Sequence, residues 1–153
     1  MAGWESVDDV VMGGRSASSL LWLDSGCLSF GGEVSLENNG GFASIRSPAK
    51  DFQLANTRGI GLRVKGDGKQ YKLTLRTDIN YDGVSYQVAL PTTPGQWQEL
   101  FFPYDLFIPT YHGRLMSDKP PLEPAMIKRF GFIISEKQQG IFQLLVAAIW
   151  TTF

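Results

Sequence analysis

Short runs of alternating apolar and polar residues dominate the sequence, and glycine, proline, asparagine or aspartate interrupts each run. A period of two is typical of a β-strand that buries one face, whereas the 3.6-residue period of an amphipathic helix is almost absent. Many short strands separated by regular turns are typical of a β-sandwich or jelly roll. The predicted fold class is therefore all-β, a β-sandwich or jelly roll. The runs predict about nine strands, at residues 20–23, 27–34, 41–46, 59–65, 71–77, 84–90, 97–102, 129–134 and 141–150.

Two connections between these strands have distinctive sequences. Gly66-Asp67-Gly68 predicts a hairpin turn between the strands at 59–65 and 71–77. The one long connection, at 103–128, contains five prolines, and its segment 123–128 is compatible with one helical turn. A loop of this length in a small domain is usually functional or covers a sheet.

Length and composition restrict the class of protein. A chain of 153 residues with 43% hydrophobic residues is expected to form a single domain over 1–153 with its own core. The formal net charge of -1 argues against a nucleic-acid partner, which would favour a basic excess. The longest apolar stretch, at 141–150, is about half of the roughly 20 residues that span a bilayer, so no membrane insertion is expected. Cys27 is the only cysteine, and no signal peptide is visible, which predicts a cytoplasmic protein.

The residues that would support catalysis or metal binding are few. One histidine, His112, and one cysteine cannot build the usual zinc site, and the spacing of an EF-hand is absent. A cation site near Asp8, Asp9 or Asp82 remains an alternative. A lone histidine in a loop is more often solvated or packed than a general base. We therefore expect no catalytic residues, no cofactor and no metal, and rank an enzymatic function last.

The segment DDVVMGGRS at residues 8–16 has two interpretations. The adjacent carboxylates of Asp8 and Asp9 and the following Gly-Gly pair could present oxygens and backbone amides to a ligand. Alternatively, an aspartate caps a turn and the glycines adopt backbone angles that other residues avoid. The glycine spacing and the lysine of a phosphate-binding loop are both missing.

Alternation also predicts a candidate binding surface. If the apolar sides of the central strands face the core, the opposite sides carry arginine, lysine and glutamine. Such a face would suit a carboxylate, a phosphate or a sugar, or it is simply a solvated face. The candidate binding residues are Asp8, Asp9, Arg46, Arg63, Arg76, Tyr86, Gln87, Tyr111 and Arg114.

Several motifs follow the 8–16 segment in order: GGFASIRS at 40–47, LRTD at 75–78 with Tyr86, WQEL at 97–100, FP at 102–103, FIP at 107–109, GR at 113–114 and IKRFGFII at 127–134. Taken together, these motifs resemble the complex I intermediate-associated protein family. The resemblance covers nearly the whole chain. It implies a galactose-binding-like jelly roll with no established catalytic residues. It also implies a role like that of the mitochondrial members, which are assembly factors of respiratory complex I, or of related domains in photosystem biogenesis.

Two functions follow from these observations. The first is a non-catalytic module that binds a protein partner and assists assembly or stability of a larger, membrane-associated respiratory or photosynthetic complex. It would use the arginine-bearing face and the long loop, with anchors at Tyr104, Phe107, Tyr111 and Arg114. The alternative is a carbohydrate or small-ligand module, which would bind a sugar or a small anionic ligand. That alternative requires exposed aromatic rings, and burial of Trp22, Trp97 and Trp150 would count against it.

Overall fold

A computed structural model describes residues 5–6, 17–22, 27–34, 42–77, 84–111, 114–116, 121–135, 138 and 140–152. Its helical segments within these ranges are two 3₁₀ turns of three residues each, so no helix in the described chain is long and apolar enough to cross a membrane. All nine predicted strands are confirmed, as β2 to β8, β11 and β12, and three shorter strands join them. In chain order the strands are β1 (Glu5–Ser6), β2 (Ala17–Trp22), β3 (Leu28–Val34), β4 (Ala43–Arg46), β5 (Gly59–Lys65), β6 (Gln70–Arg76), β7 (Ser85–Pro91), β8 (Trp97–Pro103), β9 (Ile108–Tyr111), β10 (Arg114–Leu115), β11 (Arg129–Ile134) and β12 (Gly140–Thr151).

The strands form two antiparallel sheets that pack face to face as a sandwich. The first has seven strands in the order β1-β4-β11-β6-β7-β9-β10, and the second has five in the order β2-β3-β12-β5-β8. Where the structure describes side-chain burial, as in β6 and β11, alternate side chains face the partner sheet, as the period of two requires. The all-β jelly-roll prediction is confirmed. The largest fully buried side chains are Phe30, Tyr71, Phe132, Phe142, Leu28, Ile45, Ile60, Leu62, Leu73, Leu75, Leu90 and Ile127.

The predicted hairpin between β5 and β6 is wrong. β5 pairs with β12 and β8 in the five-stranded sheet, whereas β6 pairs with β11 and β7 in the seven-stranded sheet. The turn at 66–68 is therefore a crossover between the sheets. Gly68 has a φ of 92°, which only glycine adopts without strain, so the turn residues were correctly identified although their role was not.

The long connection contains more structure than predicted. It adds β9 and β10 to the edge of the seven-stranded sheet, and its 3₁₀ turn at Pro124–Met126 lies within the predicted helical segment. The prediction that Tyr104 and Phe107 are surface anchors is wrong, because they are only 9% and 5% exposed. A 3₁₀ turn at Tyr104–Leu106 directs both rings inward, and the Tyr104 hydroxyl is 2.6 Å from Thr57 Oγ1.

Aromatic rings join the two sheets at the centre of the core. Phe30 of β3 and Phe142 of β12 meet edge to face with centroids 4.9 Å apart. Tyr71 of β6 approaches each of these rings at 6.4 Å from the opposite sheet. Such arrangements stabilise a core beyond the burial of apolar area alone.

Asp67 in the crossover turn fixes this cluster. Its Oδ1 accepts hydrogen bonds from the main-chain N–H of Lys69 (3.1 Å) and from the hydroxyl of Tyr71 (3.0 Å). Its Oδ2 accepts from the main-chain N–H of Gln143 in β12 at 2.9 Å. One carboxylate therefore links the turn, the seven-stranded sheet and the five-stranded sheet.

Replacing this carboxylate should destabilise the fold. Asp67→Ala removes three acceptor contacts and leaves the hydroxyl of Tyr71 without its Asp67 partner, so we expect a loss of about 1–3 kcal/mol in the free energy of unfolding. Asp51→Ala is the control, because Asp51 accepts one exposed hydrogen bond, from Gln53, and its loss should cost about 0.5 kcal/mol. Urea unfolding followed by tryptophan fluorescence measures both. Equal losses in the two variants would contradict the role of Asp67.

The same contacts predict a loss of stability at high pH. Burial, and then the charge and hydrogen bond of Asp67, raise the pKa of Tyr71 far above its ordinary value of 10.0. The folded chain keeps this proton where the unfolded chain releases it, so the stability due to Tyr71 is complete below about pH 10 and falls above it. In Tyr71→Phe the free energy of unfolding should therefore fall less steeply above pH 10, by up to about 1.4 kcal/mol per pH unit. Urea unfolding of both proteins between about pH 9 and 11 gives the free energy of unfolding as a function of pH. If that free energy fell equally steeply with pH in both proteins, the decline would not be due to Tyr71.

Candidate functional site

Arginines from three adjacent strands lie on the outer side of the seven-stranded sheet. Arg46, Arg129 and Arg76 belong to β4, β11 and β6, which are neighbours in that order. Each follows or precedes a residue that is buried in the core, so alternation turns the arginines outward. Together with Gln87 of β7 they define a surface that we name the arginine face.

Sheet register brings these residues into two adjacent rows. Arg129 lies directly opposite Arg76 in the β11–β6 pair. In the next row Gly131 lies between Arg46 and Thr74, and Thr74 lies opposite Gln87. Directly opposed residues of antiparallel strands have Cβ atoms about 4.5–5.5 Å apart. The register therefore places Arg129 beside Arg76, and Arg46 one row away on the same side of the sheet.

Hydrogen bonds orient the polar groups of the arginine face. Nη1 of Arg129 donates to the carbonyl oxygen of Ser47 at 3.1 Å, and Nε2 of Gln87 donates to Oγ of Ser85 at 2.9 Å. The three arginines are half-buried, so their side chains lose little further freedom when they bind a ligand. A guanidinium can pair with a carboxylate through two parallel hydrogen bonds, and this is the chemistry that the face offers.

Gly131 leaves room for the side chains of Thr74 and Arg46 in the middle of the arginine face. A Cβ atom at this position would lie 2.6 Å from Oγ1 of Thr74 and 2.8 Å from the carbonyl oxygen of Ile45. Only glycine therefore fits between β4 and β6 at this point of β11. Cγ of Arg46 lies 3.7 Å from the same position and Thr74 is only 6% exposed, so the neighbouring side chains cover the main chain of β11 here.

The predicted site residues Arg63 and Tyr86 do not reach the arginine face. Arg63 lies on β5 in the other sheet, where Nη1 is 3.5 Å from Oε1 of Glu99 and the guanidinium is 5.1 Å from the centroid of the Trp97 ring. The expected common face for Arg63 is thus corrected, since the crossover at 66–68 separates β5 from β6. Tyr86 is 5% exposed and points into the core, where burial raises the pKa of its hydroxyl.

The remaining predicted residues lie elsewhere. Tyr111 of β9 is 38% exposed and lies opposite Arg114 of β10 in the sheet register. Tyr111 alternates with Thr110 along β9, and Thr110 is in register with Ser85, so Tyr111 has the opposite parity to the arginine face. Strands β9 and β10 lie at the edge of the sheet. Asp8, Asp9, Asp82 and His112 lie outside the described residues. Among the described residues, no group of three or more histidine, cysteine, aspartate or glutamate side chains is arranged to hold a metal ion.

Sequence reasoning missed Arg129, although a signal for it was present. In β11 the buried residues Phe130, Phe132 and Ile134 alternate with Arg129 and Gly131. The same period of two that assigned Arg76 to the outer face assigns Arg129 to it as well.

A second surface without a sequence prediction lies on the outer side of the five-stranded sheet. Trp97 and Phe101 of β8 and Trp150 of β12 are 40%, 42% and 37% exposed, and we name this surface the aromatic face. The ring of Trp150 lies across Gly61, where a Cβ atom would come within 2.2 Å of the indole. The cations of Arg63 and Lys65 lie 5.1 and 6.0 Å from the centroid of the Trp97 ring.

Solved structures share this architecture. The family 11 carbohydrate-binding module of a cellulosomal cellulase of Clostridium thermocellum superposes with a TM-score of 0.64 at 14% identity, over 95% of this chain and 88% of that module. A family 29 carbohydrate-binding module superposes with a TM-score of 0.55 at 10% identity, over 99% and 80% of the two chains. These likenesses establish a galactose-binding-like fold.

Curated proteins resemble the chain in sequence. Complex I intermediate-associated protein 30, mitochondrial, of Neurospora crassa is 23% identical over 127 residues, which are 78% of this chain and 45% of that protein. The protein of the same name from Mus musculus is 31% identical over 103 residues, which are 65% of this chain and 31% of that protein. The chain thus spans less than half of these relatives.

The prediction of a cytoplasmic location is wrong, because these curated relatives are mitochondrial proteins. A single free cysteine indicates at best whether a protein is in a reducing or an oxidising compartment. It does not indicate which reducing compartment.

The family resemblance itself is confirmed. The family model named complex I intermediate-associated protein 30 matches residues 1–146, nearly the whole of the chain, which therefore belongs to that family.

Proposed function

We propose that this chain is a non-catalytic module that binds a protein partner and assists the assembly or stability of a larger complex. The names of its mitochondrial relatives associate them with intermediates of respiratory complex I, and we extend that role to a membrane-associated respiratory or photosynthetic complex. The observation that carries the proposal is the arginine face, where three strands bring Arg46, Arg76 and Arg129 together.

The chemistry of the arginine face favours a carboxylate-bearing protein surface. Three guanidinium groups on adjacent strands present planar donor sets that match carboxylates, and rigid strands hold them in place before binding. Arginine is also a residue type enriched among the side chains that dominate the free energy of protein association. The proposed role consists of binding without a chemical step.

Neutralising this face should remove the partner. In the double variant Arg76→Gln/Arg129→Gln two adjacent cations are lost, and we expect affinity for the partner to fall about 10- to 100-fold because charge-assisted hydrogen bonds are removed. The measurement is affinity purification of the tagged full chain from its native host, with quantification of each co-purified protein. Arg63→Gln is the matched control, since Arg63 is exposed on the other sheet and its variant should keep the partner.

Circular dichroism and urea unfolding must accompany this comparison, because Arg76 and Arg129 are half-buried and their replacement affects stability as well. A folded double variant that retains the partner at the level of Arg63→Gln would show that the arginine face is not the binding surface.

The aromatic face favours a second candidate function, a carbohydrate-binding module. Trp97 and Trp150 are exposed rather than buried, and flat rings on a sheet offer stacking surfaces next to the guanidinium of Arg63. The family 11 module that shares this fold has been solved in complex with a β-1,3-1,4-mixed-linked tetrasaccharide. Its likeness supports the fold only, so the aromatic face itself carries this candidate.

Titration with soluble β-1,3-1,4-mixed-linked glucan tests this candidate. If it is right, glucan should change the tryptophan fluorescence of the full chain, and Trp97→Ala should abolish most of the response because an exposed stacking ring is lost. The double variant Arg76→Gln/Arg129→Gln should respond like the unmodified chain, since its changes lie on the other sheet. An unchanged fluorescence at saturating glucan would eliminate the candidate.

A further inference from the structure

β8 is the terminal strand of the five-stranded sheet. It pairs with β5 on one side, and within the described ranges no strand lies beside it on the other. Five consecutive positions of its sequence, 97–101, alternate between exposed and half-buried residues. Terminal strands with unpaired main-chain groups are templates for pairing with another chain.

The register identifies which main-chain groups of β8 point outward. Pro103 lies opposite Gly59, and because proline has no N–H, this pair cannot exchange two hydrogen bonds. The bond from the N–H of Tyr104 to the carbonyl of Arg58 agrees with this assignment. Pairs that exchange hydrogen bonds alternate with pairs that do not along an antiparallel ladder. The pairs bonded to β5 therefore involve Phe102, Leu100 and Gln98, and the N–H and C=O groups of Trp97, Glu99 and Phe101 point away from the sheet.

The same three residues project their side chains onto the aromatic face. The exposed rings of Trp97 and Phe101 flank Glu99, whose side chain is 66% exposed and lies 3.5 Å from Arg63. Residues 97, 99 and 101 thus offer both unpaired main-chain groups and an apolar–acidic–apolar row of side chains. An added strand would bond to the main-chain groups, which gives affinity, and would contact the side chains, which gives specificity.

We propose that β8 is a docking strand that takes an extended segment of a partner protein by strand addition at residues 97–101. This surface is separate from the arginine face, so the inference goes beyond the function proposed above and can fail independently of it. Side chains directly opposite one another on paired strands interact. The segment should therefore carry apolar residues opposite Trp97 and Phe101 and a basic residue opposite Glu99, in an alternating pattern of apolar, polar, basic, polar and apolar residues.

Charge on the edge argues against a second copy of the chain as the occupant. In a two-fold antiparallel pairing that uses all the outward groups of 97, 99 and 101, Glu99 would lie directly opposite its own copy. Like charges at opposed positions destabilise a strand pair, whereas a lysine or arginine of a different chain at that position stabilises it.

A short peptide provides the probe. The peptide is acetyl-Thr-Val-Thr-Lys-Thr-Val-Thr-amide at about 1 mM, and its matched control carries proline in place of lysine. Amide hydrogen exchange of the full chain is followed by NMR. In the free chain the amides of Trp97, Glu99 and Phe101 should exchange at least about tenfold faster than those of Gln98, Leu100 and Phe102. The lysine peptide should slow the first set selectively, and the proline peptide should not.

Two variants at one position separate main-chain pairing from side-chain contact. Glu99→Pro removes an outward N–H while the ladder with β5 keeps its hydrogen bonds, so peptide protection should disappear. Glu99→Thr keeps the N–H and removes only the charge, so it should weaken binding about threefold. If Glu99→Pro does not fold, the proline peptide tests the unmodified chain for the combined loss of one N–H and of the lysine charge.

Three results would overturn the proposal. The first is that the amides of Trp97, Glu99 and Phe101 are already protected in the monomer or are unaffected by the lysine peptide. The second is a dimer in analytical ultracentrifugation that Glu99→Pro abolishes, which would assign the edge to a second copy. The third is protection of these amides by mixed-linked glucan but not by the peptide, which would assign the surface to carbohydrate.

Discussion

The edge-to-face contact of Tyr71 with Phe30 and Phe142 joins the two sheets, and both outer faces depend on it. Asp67 holds the Tyr71 hydroxyl and the main chain of Gln143 at the same time, so it sets β6 in position relative to β12. With Tyr71 directed inward, the period of two directs Arg76 outward. A shift of one residue would bury the arginines and expose the core side chains, so the energy of the aromatic core is also what maintains the arginine face.

Alternation predicted the strands well and their partners poorly, for a physical reason. Predicted strands such as β5, β6 and β11 have one buried apolar side, and burial of that side is a local property that the sequence records. The choice of neighbour is not local. The turn at 66–68 has the glycines and the aspartate of a hairpin, yet Asp67 uses its carboxylate to bridge the sheets instead of closing a two-strand turn. Strands β1, β9 and β10 are short, and too few alternating residues mark them.

The candidate site was predicted to the same partial extent. Alternation placed Arg46, Arg76 and Gln87 outward correctly, because that placement depends on one strand at a time. It grouped Arg63 with them only through the hairpin that does not form. Tyr86 lies on the apolar side of its strand and is buried in the core. Burial of its ring stabilises the fold by more than the desolvation of its hydroxyl destabilises it. The aromatic face was missed because the exposure of Trp97 depends on β8 being at the end of a sheet.

The end of a sheet is a hazard that folded proteins control, and β8 has only part of the usual protection. Pro103 ends the strand, and Glu99 places a charge at its centre, which discourages pairing between copies of this chain. Nη1 of Arg63 lies 3.5 Å from that carboxylate, and the neighbouring rings of Trp97 and Phe101 stay exposed. An edge that repels itself and keeps its donors, acceptors and apolar side chains accessible remains soluble while it stays open to a complementary segment. The arginine face lies on one sheet and this edge on the other, so the two proposed surfaces do not overlap and each proposal can be tested without disturbing the other.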